Sequence, residues 1–296
     1  LAEVVKNKSI LDQARDLQTE IVETRRYLHA HPELSFQEIE TAKFAANRLA
    51  NLGYKVTEKV GKTGVIADIG TGGNAMVAIR ADMDALPLEE PAGIPYRSQN
   101  KGVMHACGHD AHVACALTAA KILAGRLHEL PGSIRMLMQP AEEGSDDEGR
   151  TGSYRMIEDN ALNGVSCIIG LHMDATLPAG KVGISSGPVM AAADAATITI
   201  KGKGGHGGFP ETTVDAVVLG SMVVQAIQQI VSRRIPASDS AVITIGSFQS
   251  SSTAGNVISD QVVLEASIRT FNDKVQKTIV EELEKACGIV RSLGGD

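Results

Sequence analysis

The amino-acid sequence predicts an α/β protein in two parts. A mostly parallel sheet with helices on both faces is expected over residues 1–186, and a smaller α+β, ferredoxin-like domain over 187–296. Three observations carry that expectation. Up to about residue 186, short apolar strand-like runs alternate with helical stretches, as crossover-connected parallel strands require. Beyond it the order strand, helix, strand, strand, helix is one strand short of a split βαβ arrangement. Finally, a chain of 296 residues that is 43% apolar is long enough for two cores at about 150 residues each.

The elements follow in order. Residues 11–52 read as two amphipathic helices separated by HAHPELSFQE, with Pro32 closing the first. The runs TGVIADIG (63–70) and AMVAIRA (75–81) read as strands, and DAHVACALTAAKILAGRL (110–127) as a helix rich in Ala and Leu and free of Pro. SIRMLM (133–138) and SCIIGL (166–171) are strands on either side of the helix TGSYRMIEDN (151–160). In the second part, ADAATITIKG (193–202) alternates with period two, and 213–234 is a long apolar-faced helix. SAVITIGSF (240–248) and DQVVLEASIRTF (260–271) are strands, and 273–293 is the last helix.

Composition removes several functions. With 28 Lys and Arg against 35 Asp and Glu, the formal charge is −7, which disfavours a polyanion-binding surface and suits small-molecule chemistry. No uninterrupted apolar run approaches the roughly 18 residues of a membrane span, and the charged N-terminus lacks the apolar core of a signal peptide. The chain begins without Met, so an initiator or leader is expected to be missing. Aromatics make up 3% and Trp is absent, which leaves no platform for stacking bases. Four cysteines, at 107, 115, 167 and 287, form no CxxC pair, so a reduced, cytoplasmic setting is expected.

The chemistry-bearing residues collect at strand ends, where open α/β sheets hold their ligands. Asp82 and Asp84 follow the strand at 75–81; Gln139, Glu142 and Glu143 follow 133–138; His172 follows 166–171. Between them HACGHDAH delivers His105, Cys107, His109, Asp110 and His112 just before a helix. Each piece alone has an ordinary structural explanation: Asp is common in turns, paired glutamates often lie in solvated loops, and a single histidine is often a satisfied core residue. Three His, a Cys and an Asp within eight residues are costly to bury unpaired, and the set matches the ligands of zinc-like divalent metals. Adjacent glutamates also suit metal-assisted hydrolysis, one binding an ion while its neighbour takes a proton from water. Gly202, Gly204 and Gly207 spell GxGxxG, but Phe209-Pro210 follows in place of a helix. A dinucleotide site is therefore rejected in favour of a flexible loop presenting His206.

These motifs resemble the amidohydrolase branch of the M20 metallopeptidases, a group of aminoacylase-like, hippurate hydrolase-like and auxin-conjugate hydrolase-like enzymes. The likeness runs through RRYLHAHPELSFQE, RADMDALP, GVMHACGHDAH, QPAEEG, GLHMDATLPAG, KGKGGHGGFP, NVISD and SIRTF. It implies that Cys107, His109, Glu143 and His172 hold two divalent ions, of Zn, Mn, Co or Ni. It further implies that Glu142 is the general base and that Asp84 supports the metal site. Position 82 would be a His ligand in the wider superfamily; here it is Asp82 and is not counted as one. The second domain is implied to be a lid that also mediates homodimerisation. There His206 would polarise the scissile carbonyl, and Asn256 and Arg269 would hold the substrate near its carboxylate, a task that suits the planar guanidinium.

Two departures from the family stand out. The stretch SDDEGRTGSY after Glu143 is longer and more acidic than the family's Gly-rich link, and is expected to affect access to the site. Members also return to the catalytic domain after the lid and supply a last ligating His. This chain ends at Asp296, so it is expected to lack that ligand and its closing elements, which bears on its own activity. The expected function is metal-dependent removal of an N-acyl group from an N-acyl amino acid, without nucleic-acid or membrane partners. Rival readings are a metallo-exopeptidase, an inactive metal-binding or oligomerising fragment, and a thiol-nucleophile hydrolase using Cys107.

Overall fold

A computed structural model describes residues 8–70, 72 and 75–296; the first seven residues of the N-terminal helical pattern lie outside them. The chain divides into two compact units, Leu1–Ala179 and Gly180–Asp296, seven residues before the boundary expected at 186.

In the first unit, helices α1 (Ile10–Asp16) and α2 (Gln18–Ala30) break at Leu17, so the first predicted helix is two. Helix α3 (Ile39–Asn51) buries Ala42, Ala45, Ala46 and Leu49, the spacing of one helical face. Strands β1 (Lys55–Val60), β2 (Gly64–Gly70) and β3 (Met76–Asp82) follow, then α4 (His109–Ala124), β4 (Ser133–Gln139), α5 (Gly152–Glu158) and β5 (Val165–Gly170). Strand β1 was not anticipated. Its sequence KVTEKV lies at a sheet edge with most side chains exposed, so it lacks the apolar alternation that marks a strand.

The sheet order is β1-β2-β4-β3-β5. Only β3 with β4 and β3 with β5 are parallel; β1 with β2 and β2 with β4 are antiparallel. The sheet is therefore mixed and not mostly parallel. Buried apolar runs such as those of β2 and β4 read the same in either direction, which is why composition could not orient them. The two faces are unequally covered. One packs on α3 and α4 through Leu49, Met83, Val113, Leu117, Met136 and Met138. The other carries a smaller cluster around Leu137, Met156 and Ala161 beneath the two-turn α5. Parallel β3, β4 and β5 all end on the same sheet edge, and that edge carries the site.

The second unit contains β6 (Ala192–Lys201), β7 (Gly205–His206), α6 (Ala216–Arg234), β8 (Ala241–Ser250), β9 (Val257–Ile258), β10 (Gln261–Thr270) and α7 (Asp273–Cys287). Its three-stranded antiparallel sheet has the order β6-β10-β8, the first-third-second arrangement of a split βαβ. Central strand β10 buries Val262, Leu264, Ala266, Ile268 and Thr270 on one face, a strict period of two. Helix α6 is long and apolar enough to cross a membrane by length and composition alone. Its apolar stripe (Leu219, Val223, Ile227, Ile230) is instead buried with Leu264 and Ile279 in this unit's core.

Candidate metal centre

Three stretches that follow β3, β4 and β5 meet the N-terminus of α4. Gly108 caps α4 with φ of 88°, a left-handed conformation that favours glycine. A Cβ there would lie 3.0 Å from Cβ of Met173, so glycine also lets the Cys107 and His172 segments approach.

His109 is fully buried and its orientation is set by one bond. The Nδ1–H donates to the carbonyl of Asp84 at 2.8 Å, leaving Nε2 bare and without a hydrogen-bond partner. Around that nitrogen stand carboxylate oxygens of Asp82 at 3.7 Å, Glu143 at 3.8 Å and Glu142 at 3.9 Å. These separations are too long for hydrogen bonds. They lie slightly beyond the spacing of neighbouring N and O ligands on an ion bound at about 2.0–2.2 Å, which is roughly 3.3–3.6 Å in tetrahedral geometry. His172 is held likewise: its Nδ1–H donates to the carbonyl of Met173 at 2.7 Å, and Nε2 stands 3.4 Å from Sγ of Cys107. Donor atoms of Cys107, His109 and His172 lie within 4.8 Å of one another, as do those of His109, Glu142 and Glu143. An orphaned imidazole nitrogen inside a ring of thiol and carboxylate donors is what a divalent-ion site requires.

The glutamates sit on a turn held from below. Ala141 has φ of 41°, a strained value for a residue with a side chain. Its N–H donates to Glu38 Oε1 at 2.8 Å, and the other Glu38 oxygen accepts from the Thr63 hydroxyl at 2.5 Å. Asp84 accepts from the Ser35 hydroxyl at 2.7 Å and from the Glu143 N–H at 2.9 Å, tying the glutamate turn to the His109 anchor. Burial alone would raise Asp84, but the His109 ring 3.3 Å from Oδ1 and the hydrogen bonds from Ser35 and the Glu143 N–H outweigh it and keep its carboxyl below the usual range. Glu142 shifts the other way, raised by burial and then by the charge of Glu143. Burial and then Glu143 push the Cys107 thiol up to about 12. A bound cation reverses that logic for a metal ligand, whereas a free thiol nucleophile gains nothing from acidic neighbours.

Several predicted residues are placed differently. Asp82 is buried against Arg80 at 2.6 Å and His112 at 2.5 Å. Burial opposes ionisation there, but the His112 bond and the charges of His109 and Arg80 hold its carboxyl down to about 2. Asp110 turns away from the centre into a buried cluster with Arg25 and His29. His105 is buried with neither nitrogen hydrogen-bonded, and burial lowers its pKa to about 4. Gln139 accepts from Arg80 Nε at 2.9 Å. The acidic stretch after Glu143 is tied down through Asp146, which meets Lys62 and Arg155 and accepts the N–H of Glu148 and Arg150. In the second unit His206 lies in β7, paired with β9, so the expected flexible loop is a short ladder. Its Nδ1 accepts the Gly208 N–H, and Asn256 O accepts the Gly207 N–H beside it. Arg269 is exposed on β10. Sequence reasoning missed Glu38, Ser35 and Arg80, whose signal was confined to short polar positions in otherwise ordinary segments.

Residues 78–289 match peptidase family M20/M25/M40. The chain is 42% identical to an N-acetyl-L-cysteine deacetylase of Bacillus subtilis, over 89% of this chain and 62% of that protein. It is 41% identical to an N-acyl-L-amino acid amidohydrolase of Geobacillus stearothermophilus, over 94% of this chain and 73% of the other. A crystal structure of a dinuclear metal-binding peptidase of the M20 family from Bacillus subtilis superposes with a TM-score of 0.78 at 36% identity, covering 95% of this chain and 72% of that one. The chain thus spans roughly two thirds of the length of such relatives.

Proposed function

The chain belongs to peptidase family M20/M25/M40, and from that premise we propose that its protein is a metal-dependent amidohydrolase that removes the acyl group from N-acyl amino acids. The observation that carries this reading is the bare, buried Nε2 of His109 facing Glu143, with Glu142 beside it. Cys107, His109, Glu143 and His172 would hold two divalent ions. Bound there, the ions would supply positive charge that acidifies water and polarises the amide carbonyl. Glu142 takes a proton from the attacking water as its oxygen bonds to the carbonyl carbon. The same carboxyl returns that proton to the nitrogen as the C–N bond breaks, leaving a free amine and a carboxylic acid, which ionises by releasing the second proton of the water. Asp84 acts from beneath, fixing the His109 tautomer and the Glu143 backbone.

The second unit is read as a lid. Exposed His206, with Nδ1 already accepting a hydrogen bond, keeps Nε2–H free to polarise a carbonyl. Asn256 and exposed Arg269 suit a substrate carboxylate. Homodimerisation through this unit is supported by its open sheet edge at β8 and by exposed Val242 and Phe248 nearby; sedimentation as a monomer at micromolar concentration would count against it. Four free cysteines among the described residues fit a reducing, cytoplasmic setting.

The decisive experiment is Glu142→Gln in the protein that contains this chain. Turnover of N-acetyl amino acids is expected to fall at least about 100-fold, the lower end of what a positioned acid–base group contributes, while metal stays bound. Wild-type turnover by the variant would remove Glu142 from the chemistry. A peptidase reading is favoured by the likeness to the dinuclear metal-binding peptidase of Bacillus subtilis, and dipeptides hydrolysed faster than N-acyl amino acids would establish it.

A further inference from the structure

His112 is grouped by position with Asp82 and His109, and the donor atoms of the three lie within 4.8 Å of one another. Both of its nitrogens are nevertheless committed. Its Nε2 accepts the backbone N–H of Met173 at 2.9 Å, so Nε2 carries no proton and its lone pair is used. The proton is on Nδ1, which donates to Asp82 Oδ1 at 2.5 Å. Asp82 is itself fixed by Arg80 from within β3.

The relay continues beyond Met173. The Met173 carbonyl receives the Nδ1–H of His172, which turns the His172 Nε2 toward Cys107. Residues 172–174 follow the end of β5 and belong to no helix or strand. Among the described residues, their one hydrogen bond to other parts of the fold, apart from the His172–Cys107 contact, is the bond to His112. Beyond its continuity with β5 and the packing of Met173 against Gly108, this irregular segment is therefore hydrogen-bonded to the sheet and helix through a single imidazole.

We propose that His112 is a positioning residue of the metal centre: it carries the order of β3 and α4 into the His172 backbone and so presets the His172 ring against Cys107. This rests on the reading of Cys107 and His172 as ligands. It also gives position 82 a task. A carboxylate there, buried and ion-paired, selects the Nδ1–H tautomer of His112, which is the one tautomer able to accept from Met173.

The test titrates the protein that contains this chain with Co(II) alone, following the thiolate-to-cobalt absorption in the near ultraviolet and the number of ions bound. His112→Ala, His112→Asn and His112→Gln are compared, with thermal melts of the metal-free proteins checking that each folds. In His112→Ala the affinity of the thiolate-containing site is expected to fall roughly 10- to 100-fold, the usual cost of losing an outer partner, with the number of ions unchanged. Gln places an acceptor oxygen near the position of Nε2 and should recover most of that affinity. Asn reaches only the Asp82 side and should stay weak. An unchanged His112→Ala affinity would overturn the proposal. So would loss of one bound ion, which would make the imidazole a ligand, or a Gln variant as weak as Asn, which would leave the acceptor facing Met173 without a role. Absence of any thiolate band in the unsubstituted protein would instead overturn the metal-centre reading itself.

Discussion

His29 and His109 are both buried in the first unit, yet their ring nitrogens end in opposite situations. His29 has an acidic partner on each side, Asp110 at 2.8 Å from Nδ1 and Glu90 at 2.7 Å from Nε2. Arg25 on Asp110 Oδ2 and the Ser98 N–H on Glu90 add further partners to those carboxylates, while Asp110 Oδ1 has none. His109 spends one nitrogen on a backbone carbonyl and leaves the other bare among carboxylates 3.7–3.9 Å away. The first cluster closes every bond the histidine can make and thereby locks α2, α4 and the 86–104 loop together. The second leaves a gap of ligand size. Closure distinguishes a structural ion cluster from a binding site more clearly than residue type does, since both contain His beside acidic groups.

That contrast is broken most sharply at His109. His109→Ala is expected to weaken divalent-metal binding more than the roughly 100-fold upper cost of losing an outer partner. Binding to the folded state alone adds about 2.7 kcal/mol at a metal concentration 100 times Kd. The unsubstituted chain should therefore melt higher with metal, and His109→Ala should show no such rise. A variant still stabilised by metal to the same degree would mean that His109 is not at the centre of the site.

The same contrast shows what could be read from the sequence. That Cys107, His109, Glu142, Glu143 and His172 come together was legible because strand ends gather on one edge and their side chains are chemically distinctive. The division of HACGHDAH was not. Successive helical residues diverge by about 100°, so Asp110 turns to His29 while His109 and His112, three apart, share a face toward the centre. Neither His29 nor Glu90 advertises the pairing, because their partners lie far along the chain. The three long strands and α6 of the second unit were read to within about three residues, since antiparallel strands with one wet face alternate visibly, as β10 does, whereas the short β7–β9 ladder and the end of α7 at Cys287 were not. In the first unit the polar edge strand β1 and the direction of β2 were lost for the converse reason.

The next largest effect falls on stability and separates the clusters in the other direction. His29→Asn leaves Asp110 and Glu90 buried with a neutral neighbour of different reach. Removing one partner from a buried charged set costs about 3–5 kcal/mol. Chemical denaturation of the metal-free chain should show a loss of that order, with metal affinity changed far less than in His109→Ala. A loss below about 1 kcal/mol would mean that the His29 cluster is not a structural lock.

The smallest effect is the pH dependence of that loss, and its sign follows from the shifts. Asp110 and then Glu90 raise the pKa of His29 against the opposing effect of burial. Its contribution is therefore full below the ordinary histidine value, about 6.5, and fades as pH rises through the higher folded value. Burial would raise Asp110 and Glu90, but the His29 bond on Asp110 and the Ser98 N–H and His29 on Glu90 lower both. Their contribution is present above the ordinary carboxylate range, about 4, and is lost as pH falls through the lowered folded values. The cluster is thus strongest between about pH 4.5 and 6.5, where His29 is charged and both carboxyls are ionised. The stability difference between the unsubstituted chain and His29→Asn should peak in that window and shrink toward alkaline pH. A difference that instead grew above pH 8 would require His29 to be held neutral, and the distinction between a closed ion cluster and an open metal centre would lose its electrostatic half.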